Sequence, residues 1–141
     1  MKRTASAAWS GGLKDGKGTV STDTGVLRDT PYGFRSRFED GPGTNPEELL
    51  GAAHAGCYTM ALAAGLEQAG FTATRIDTKA VVTLDKDGDG FAITTVDLTN
   101  RTTAPGIDAA TFHKIAKATK EGCPVSKVLK AKITLDAQLE S

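Results

Sequence analysis

The spacing of hydrophobic and polar positions changes several times along this chain. Residues 32–38, YGFRSRF, alternate: Phe34, Ser36 and Phe38 fall on one face, Arg35 and Arg37 on the other, as in a strand. Asn45-Pro46 then opens a long helix. Asn45 is suited to the N-cap and Pro46 to the first turn, while Glu47 and Glu48 lie where the helix dipole favours acids. This helix runs to about Gln68 and ends at Gly70. It is apolar almost all round and rich in Ala and Gly, which places it in the middle of a structure. Segments 4–9 and 17–22 read as short strands turning near Gly11-Gly12 and Gly16. Segments 73–84 and 91–103 read as longer strands joined at DKDGDG. Asp108 can cap a second helix over 109–120, with Phe112, Ile115 and Ala116 as its apolar positions. Gly122 stops it, Pro124 starts a short helix through about Leu129, and 131–139 alternates as a last strand. Strands at both ends with helices between predict an α+β fold of antiparallel sheets around a central helix. With no repeat and no linker, residues 1–141 form one predicted domain.

At this length roughly 68% of the unfolded surface can be buried, enough for a core. Lys plus Arg equals Asp plus Glu, at 17 each, which argues against nucleic acid or an anionic membrane as the main partner. The N-terminus, MKRTASAAWSGGLKDG, lacks the apolar run of a secretory signal. No stretch approaches 18 uninterrupted apolar residues, so no transmembrane helix is expected. These features point to the cytoplasm, where a pair of thiols is reactive or inert rather than a structural staple.

The candidate chemistry rests on two thiols. Cys57 lies in GAAHAGCYTMALAAGL with mostly apolar helical neighbours. Free Cys in that setting is usually a small buried hydrophobe, and it reacts only if a cation stabilises its thiolate. Cys123, before Pro124, fits the N-cap of the short helix, where a thiol pKa falls. On the residues alone Cys123 is the better-activated thiol. Two other signals fail. Asp85, Asp87 and Asp89 resemble the opening of a calcium loop, but its twelfth position is Val96 where a bidentate Glu is needed. His54 and Cys57, three apart on one helix, make no zinc site, and no triad partner accompanies them for a cysteine hydrolase.

The run RFEDGPGTNPEELLGAAHAGCYTMAL, followed 66 residues after its thiol by GCPVSKVLKAKITL, resembles the OsmC/Ohr family. GKGTVSTDTGVL, PYGFRSRFE and PGIDAATF are similar to the OsmC branch, and the resemblance covers nearly the whole chain. It implies a peroxidase without metal, haem or flavin that reduces organic hydroperoxides in stress defence. The family's peroxidatic cysteine maps onto Cys57, its resolving cysteine onto Cys123, its arginine onto Arg37 and its glutamate onto Glu47. The implied fold is an intertwined homodimer, which agrees with a helix too apolar for one small subunit to bury. The implied reductant is a dithiol of the dihydrolipoyl type.

On this resemblance Cys57 becomes a sulfenic acid, Arg37 stabilises its thiolate, Glu47 orients Arg37, and Cys123 closes a disulfide. Alternation along 32–38 sets Phe34 and Phe38 opposite Arg37, yet a partly apolar pocket favouring alkyl hydroperoxides is expected. Glu47 and Cys57 are ten residues apart, about 15 Å along a helix axis. Each site is therefore expected to combine Cys57 and Cys123 of one subunit with Arg37 and Glu47 of its partner. Two other classes compete: a general thiol–disulfide oxidoreductase, which would carry CxxC spacing, and a small-molecule-binding stress protein with inert thiols.

Overall fold

A computed structural model describes residues 1–140 as two compact units, Met1–Leu49 and the remainder from Leu50. In the first unit β1 (Ala5–Ser10), β2 (Lys17–Thr22) and β3 (Thr30–Tyr32) form an antiparallel sheet in that order. Gly18 of β2 is paired with Trp9 on one side and Tyr32 on the other. The two rings meet edge-to-face over it, with centroids 5.6 Å apart. A Cβ at position 18 would lie 2.5 Å from the Trp9 ring and 2.6 Å from the Tyr32 ring. Glycine is required here for space rather than for its dihedral freedom.

Residues 34–38 depart from the alternation read in the sequence. They form a short helix, α1 (Phe34–Phe38), and not the continuation of a strand. Gly33 supplies the N-cap backbone. Ser36 Oγ accepts from the Gly33 N–H at 2.9 Å and donates to the Gly33 carbonyl at 3.1 Å, closing the turn. Over five residues the periods 2 and 3.6 are not separable, and the local Ser36–Gly33 bonds decide between them. Helical spacing puts Phe34, Arg37 and Phe38 on one side, with the two rings 5.1 Å apart.

A loop then leads to α2 (Pro46–Gln68). Asn45 caps it as expected: its Oδ1 accepts from the Glu48 N–H at 2.7 Å. Its Nδ2 donates to the Ser36 carbonyl at 2.9 Å, tying the helix start to α1. The other end closes at Gly70 with φ +93°, where Phe71 N–H bonds the Leu66 carbonyl and Gly70 N–H bonds that of Glu67.

The second unit holds most of α2, then β4 (Arg75–Asp87), β5 (Gly90–Thr103), α3 (Ala109–Gly122), α4 (Pro124–Val128) and β6 (Lys132–Glu140). β4 and β5 form a hairpin at Gly88-Asp89, with Asp87 paired to Gly90. β6 returns on the far side of β5, parallel to it, so this sheet is mixed and not wholly antiparallel. The crossover through α3 and α4 is long enough to bring the chain back in the same direction. The α+β class stands.

Gly51, His54, Tyr58, Leu62 and Leu66 form the buried stripe of α2. The last three join Val96 and Leu98 of β5, Phe112 and Ala116 of α3, and Cys123 in the core. Polar groups on the helix find partners there: Tyr58 Oη donates to the Ala116 carbonyl at 3.3 Å, and Thr59 Oγ1 to Thr78 Oγ1 at 2.7 Å. Within the chain the opposite face, Ala52, Ala53, Gly56, Met60, Ala63 and Ala64, is exposed, Met60 by 78%. With 23 residues and a mean hydropathy of 1.3, α2 is long and apolar enough to cross a membrane by length and composition alone, although its apolar runs are interrupted. Its polar residues bonded into the unit account for it instead as a core helix with one uncovered face.

The Gly18 packing gives a direct test. Gly18→Ala should destabilise the fold by about 1–3 kcal/mol through overpacking against the two rings. Denaturant unfolding followed by Trp9 fluorescence reads the change. Unaltered stability would show that the rings do not close over this position.

Candidate active site

Cys57 sits at the edge of the buried stripe of α2, half-buried. Cys123 ends α3, where its N–H bonds the Thr119 carbonyl at 2.9 Å, and Pro124 restarts the chain as α4. Cys123 is fully buried. The two meet: Sγ–Sγ is 3.0 Å, with both cysteines free. A disulfide bond is about 2.05 Å long, so closure needs a movement of roughly 1 Å.

The sulfurs share protons unequally. In the dithiol, the Cys123 S–H donates to Cys57. Once a proton is lost, the remaining one sits on Cys57. Burial pushes the Cys57 thiol up, and its bond to Cys123 adds to this. Burial alone would also raise Cys123. The hydrogen bond from Cys57, the Ser126 N–H and hydroxyl and the Val125 N–H outweigh burial, and the Cys123 thiol lies below its ordinary value. In this chain the first thiolate therefore belongs to Cys123, as the N-cap reading of the sequence expected.

Two residues to which the sequence assigned no role are tied to the Cys123 turn. His54 is fully buried, and its Nε2 lies 2.8 Å from Ser126 Oγ. Burial lowers its pKa, so the ring is neutral. Its Nδ1 has no hydrogen-bond partner among the described residues. The available signal was spacing: His54 is one helical turn before Cys57, and Ser126 is three residues after Cys123 in the first turn of α4.

Arg37 and Glu47 belong to the first unit and are also paired. Nε of Arg37 donates to Oε1 of Glu47 at 3.0 Å, and Nη2 donates to Oε2 at 3.1 Å. This fork fixes the guanidinium plane. The Glu47 side chain is 9% exposed and that of Arg37 is 37% exposed, so one face of the cation stays accessible. Arg37 also lies 5.4 Å from the centroid of the Phe38 ring. Trp9, Leu13, Tyr32, Phe34, Arg37 and Phe38 line a cleft of about 320 Å³. The expectation that alternation separates the two phenylalanines from Arg37 is thus corrected: the α1 turn gathers them. Among the described residues no group of three or more His, Cys, Asp or Glu could hold a metal.

A coupled dithiol should titrate in two macroscopic steps that straddle the ordinary thiol range, the first below and the second above it. Thiolate absorbance near 240 nm in the reduced protein follows both. One step of double amplitude at the ordinary value would contradict the shared proton.

Residues 39–138 match the family model for OsmC-like proteins. The chain is 61% identical over 135 residues to the peroxiredoxin OsmC of Escherichia coli, covering 96% of this chain and 94% of that one. It is 27% identical to the organic hydroperoxide resistance protein OhrB of Bacillus subtilis, over 87% of this chain and 89% of that one. The crystal structure of that OhrB superposes with a TM-score of 0.68, covering 97% of this chain and 98% of OhrB. An OsmC-like protein of unknown function from Vibrio cholerae shares the fold at 16% identity and a TM-score of 0.78, covering 98% of this chain and 99% of that one. The sequence motifs, the α+β fold and these similarities agree, and the chain belongs to the OsmC family.

Proposed function

We propose that this protein is a thiol peroxidase that reduces organic hydroperoxides to alcohols. The observation that carries the reading is the 3.0 Å contact between Cys57 and Cys123, in a chain so similar to a protein named as a peroxiredoxin. The Cys57 thiolate attacks the distal oxygen, the O–O bond breaks, and the alkoxide takes a proton and leaves as alcohol. Cys57 is left as a sulfenic acid. Cys123 displaces hydroxide from it, forming a disulfide and water. A dithiol reductant of the dihydrolipoyl type returns the pair to thiols. The cytoplasm, where such pools keep thiols reduced, is the compartment this reading assigns.

Within one chain the proton order favours the thiolate at Cys123, so a peroxidatic Cys57 needs a cation. Arg37 is the candidate, fixed by Glu47 and open on one face. Because α2 is one unbroken helix, the ten residues from Glu47 to Cys57 span about 15 Å of axis. The proposed solution is a homodimer in which antiparallel α2 helices cover each other along Ala52, Gly56, Met60 and Ala63. Arg37 and Glu47 of one subunit then serve Cys57 of the other. The apolar cleft beside Arg37 suits an alkyl chain, and alkyl hydroperoxides are expected to outcompete hydrogen peroxide. An inert-thiol binding protein would not need two sulfurs in contact, which disfavours that alternative. A general protein oxidoreductase fits poorly with a fully buried Cys123.

Single-turnover assays with tert-butyl hydroperoxide test the roles. Cys57→Ser should consume none. Cys123→Ser should consume one equivalent and leave a sulfenic acid. The reversed pattern would exchange the two assignments.

Complementation tests the shared site. Arg37→Ala should slow turnover with dihydrolipoamide about a hundredfold. A heterodimer of Cys57→Ser with Arg37→Ala subunits should recover one working site in two. A verified heterodimer without recovery would place both pairs in the same chain's site.

A further inference from the structure

Ser126 is 9% exposed and His54 fully buried, and the 2.8 Å contact between them is the only hydrogen bond that the described residues offer the imidazole. That leaves two arrangements of one neutral ring. If Nδ1 carried the proton, a buried donor would be left without an acceptor, and orphaned buried N–H groups are rare. If Nε2 carries it, Nε2–H donates to Ser126 Oγ and the bare Nδ1 lone pair is the lesser cost. Ser126 Oγ then has its own proton free to point elsewhere. Ser126 stands three residues after Cys123, at the third position of the helix that Cys123 caps, and its hydroxyl is among the groups that lower the Cys123 thiol.

We propose that His54 and Ser126 are positioning residues that hold one hydroxyl proton on the Cys123 sulfur, making Cys123 both the resolving nucleophile and the leaving group. This rests on the peroxidase reading above and adds to it the control of the second and third steps. In the second step the Cys123 electron pair forms the S–S bond. The S–O bond of Cys57 breaks, and the departing hydroxide combines with the proton lost by Cys123 as water. In the third step a dithiol reductant attacks Cys57 Sγ, the less buried sulfur. The S–S bond breaks toward Cys123, which leaves as the thiolate that Ser126 receives, and the reductant's second thiol then displaces the Cys57 thiol from the mixed disulfide, closing the reductant's own disulfide. Two electrons pass from the dithiol to the protein disulfide. His54 stays neutral and transfers no proton.

The titratable groups tied to Cys123 are few. Cys57 shares its proton, from α2. Tyr58, also on α2, is raised by burial and then by the Cys123 charge, so its hydroxyl stays neutral. His54 completes the set through Ser126. In the homodimer of the peroxidase reading, the partner's guanidinium acts on Cys57.

Two measurements separate this inference from the reading it rests on. The first needs no peroxide. In a Cys57→Ala background, Ser126→Ala should raise the Cys123 titration midpoint by about one unit. His54→Leu should shift it the same way, and His54→Gln, which keeps a donor near the Nε2 position, should restore it. An unmoved midpoint in Ser126→Ala overturns the inference. The second uses the full chain and follows disulfide closure after one equivalent of tert-butyl hydroperoxide. A one-unit rise costs tenfold in thiolate below the midpoint but returns about threefold in nucleophilicity. Ser126→Ala should therefore close about threefold more slowly at low pH and about threefold faster at high pH, while the first-step consumption of peroxide, which needs the charge on Cys57, does not slow. A uniform drop at every pH would mark a merely structural role and overturn the inference. Absence of peroxide consumption by the wild type would overturn the peroxidase reading, while the titration still decides the proton chain.

Discussion

Everything proposed for this protein depends on holding two sulfur atoms in contact without bonding them. Sulfurs at 3.0 Å are inside the reach of a shared proton and outside that of a covalent bond. The spacing is set by elements that are packed into the core. Cys57 is fixed on a helix whose stripe from Gly51 to Leu66 is buried, and Cys123 is fixed where α3 ends and Pro124 restarts the chain. Cys123 is itself a member of the core, so packing and redox chemistry use the same atom.

The proton shared by the pair creates a problem that the rest of the proposed site answers. Left to its own chain, the sulfur pair places negative charge on Cys123. A peroxidatic Cys57 needs the order reversed, and only a nearby cation can do this without removing the donors behind Cys123. The Arg37–Glu47 fork is suited to that task, since a bidentate partner costs the arginine little further ordering when substrate arrives. In the proposed dimer, the bare, small-residue face of α2 is the route by which a second copy brings it. On this account dimerisation and activation of Cys57 are one event.

Much of this was legible in the sequence, for reasons that can be named. α2 was readable at both ends because Asn45, Pro46 and Gly70 each have one physical use there. The β4–β5 hairpin was readable from its glycines, and Cys123 as an N-cap thiol from the following proline. What misled was brevity and distance. α1 has five residues, too few for a period, and the Ser36–Gly33 bonds that fold it leave no mark in the hydrophobic pattern. β6 lies parallel to β5 because of where the crossover returns it, which no local pattern records. His54 was weighed only against Cys57, its neighbour in sequence. Its partner, Ser126, is 72 residues away, and pairing at that separation is not written in spacing.

The central claim is that Cys57 and Cys123 of one chain are a single redox unit. Peptide mapping by mass spectrometry after one equivalent of an alkyl hydroperoxide tests it most directly. The account predicts loss of two hydrogens per chain and one cross-linked peptide pair joining Cys57 to Cys123 within the same chain. A stable sulfinic acid at Cys57 with Cys123 still reduced, or bridges only between chains, would contradict it.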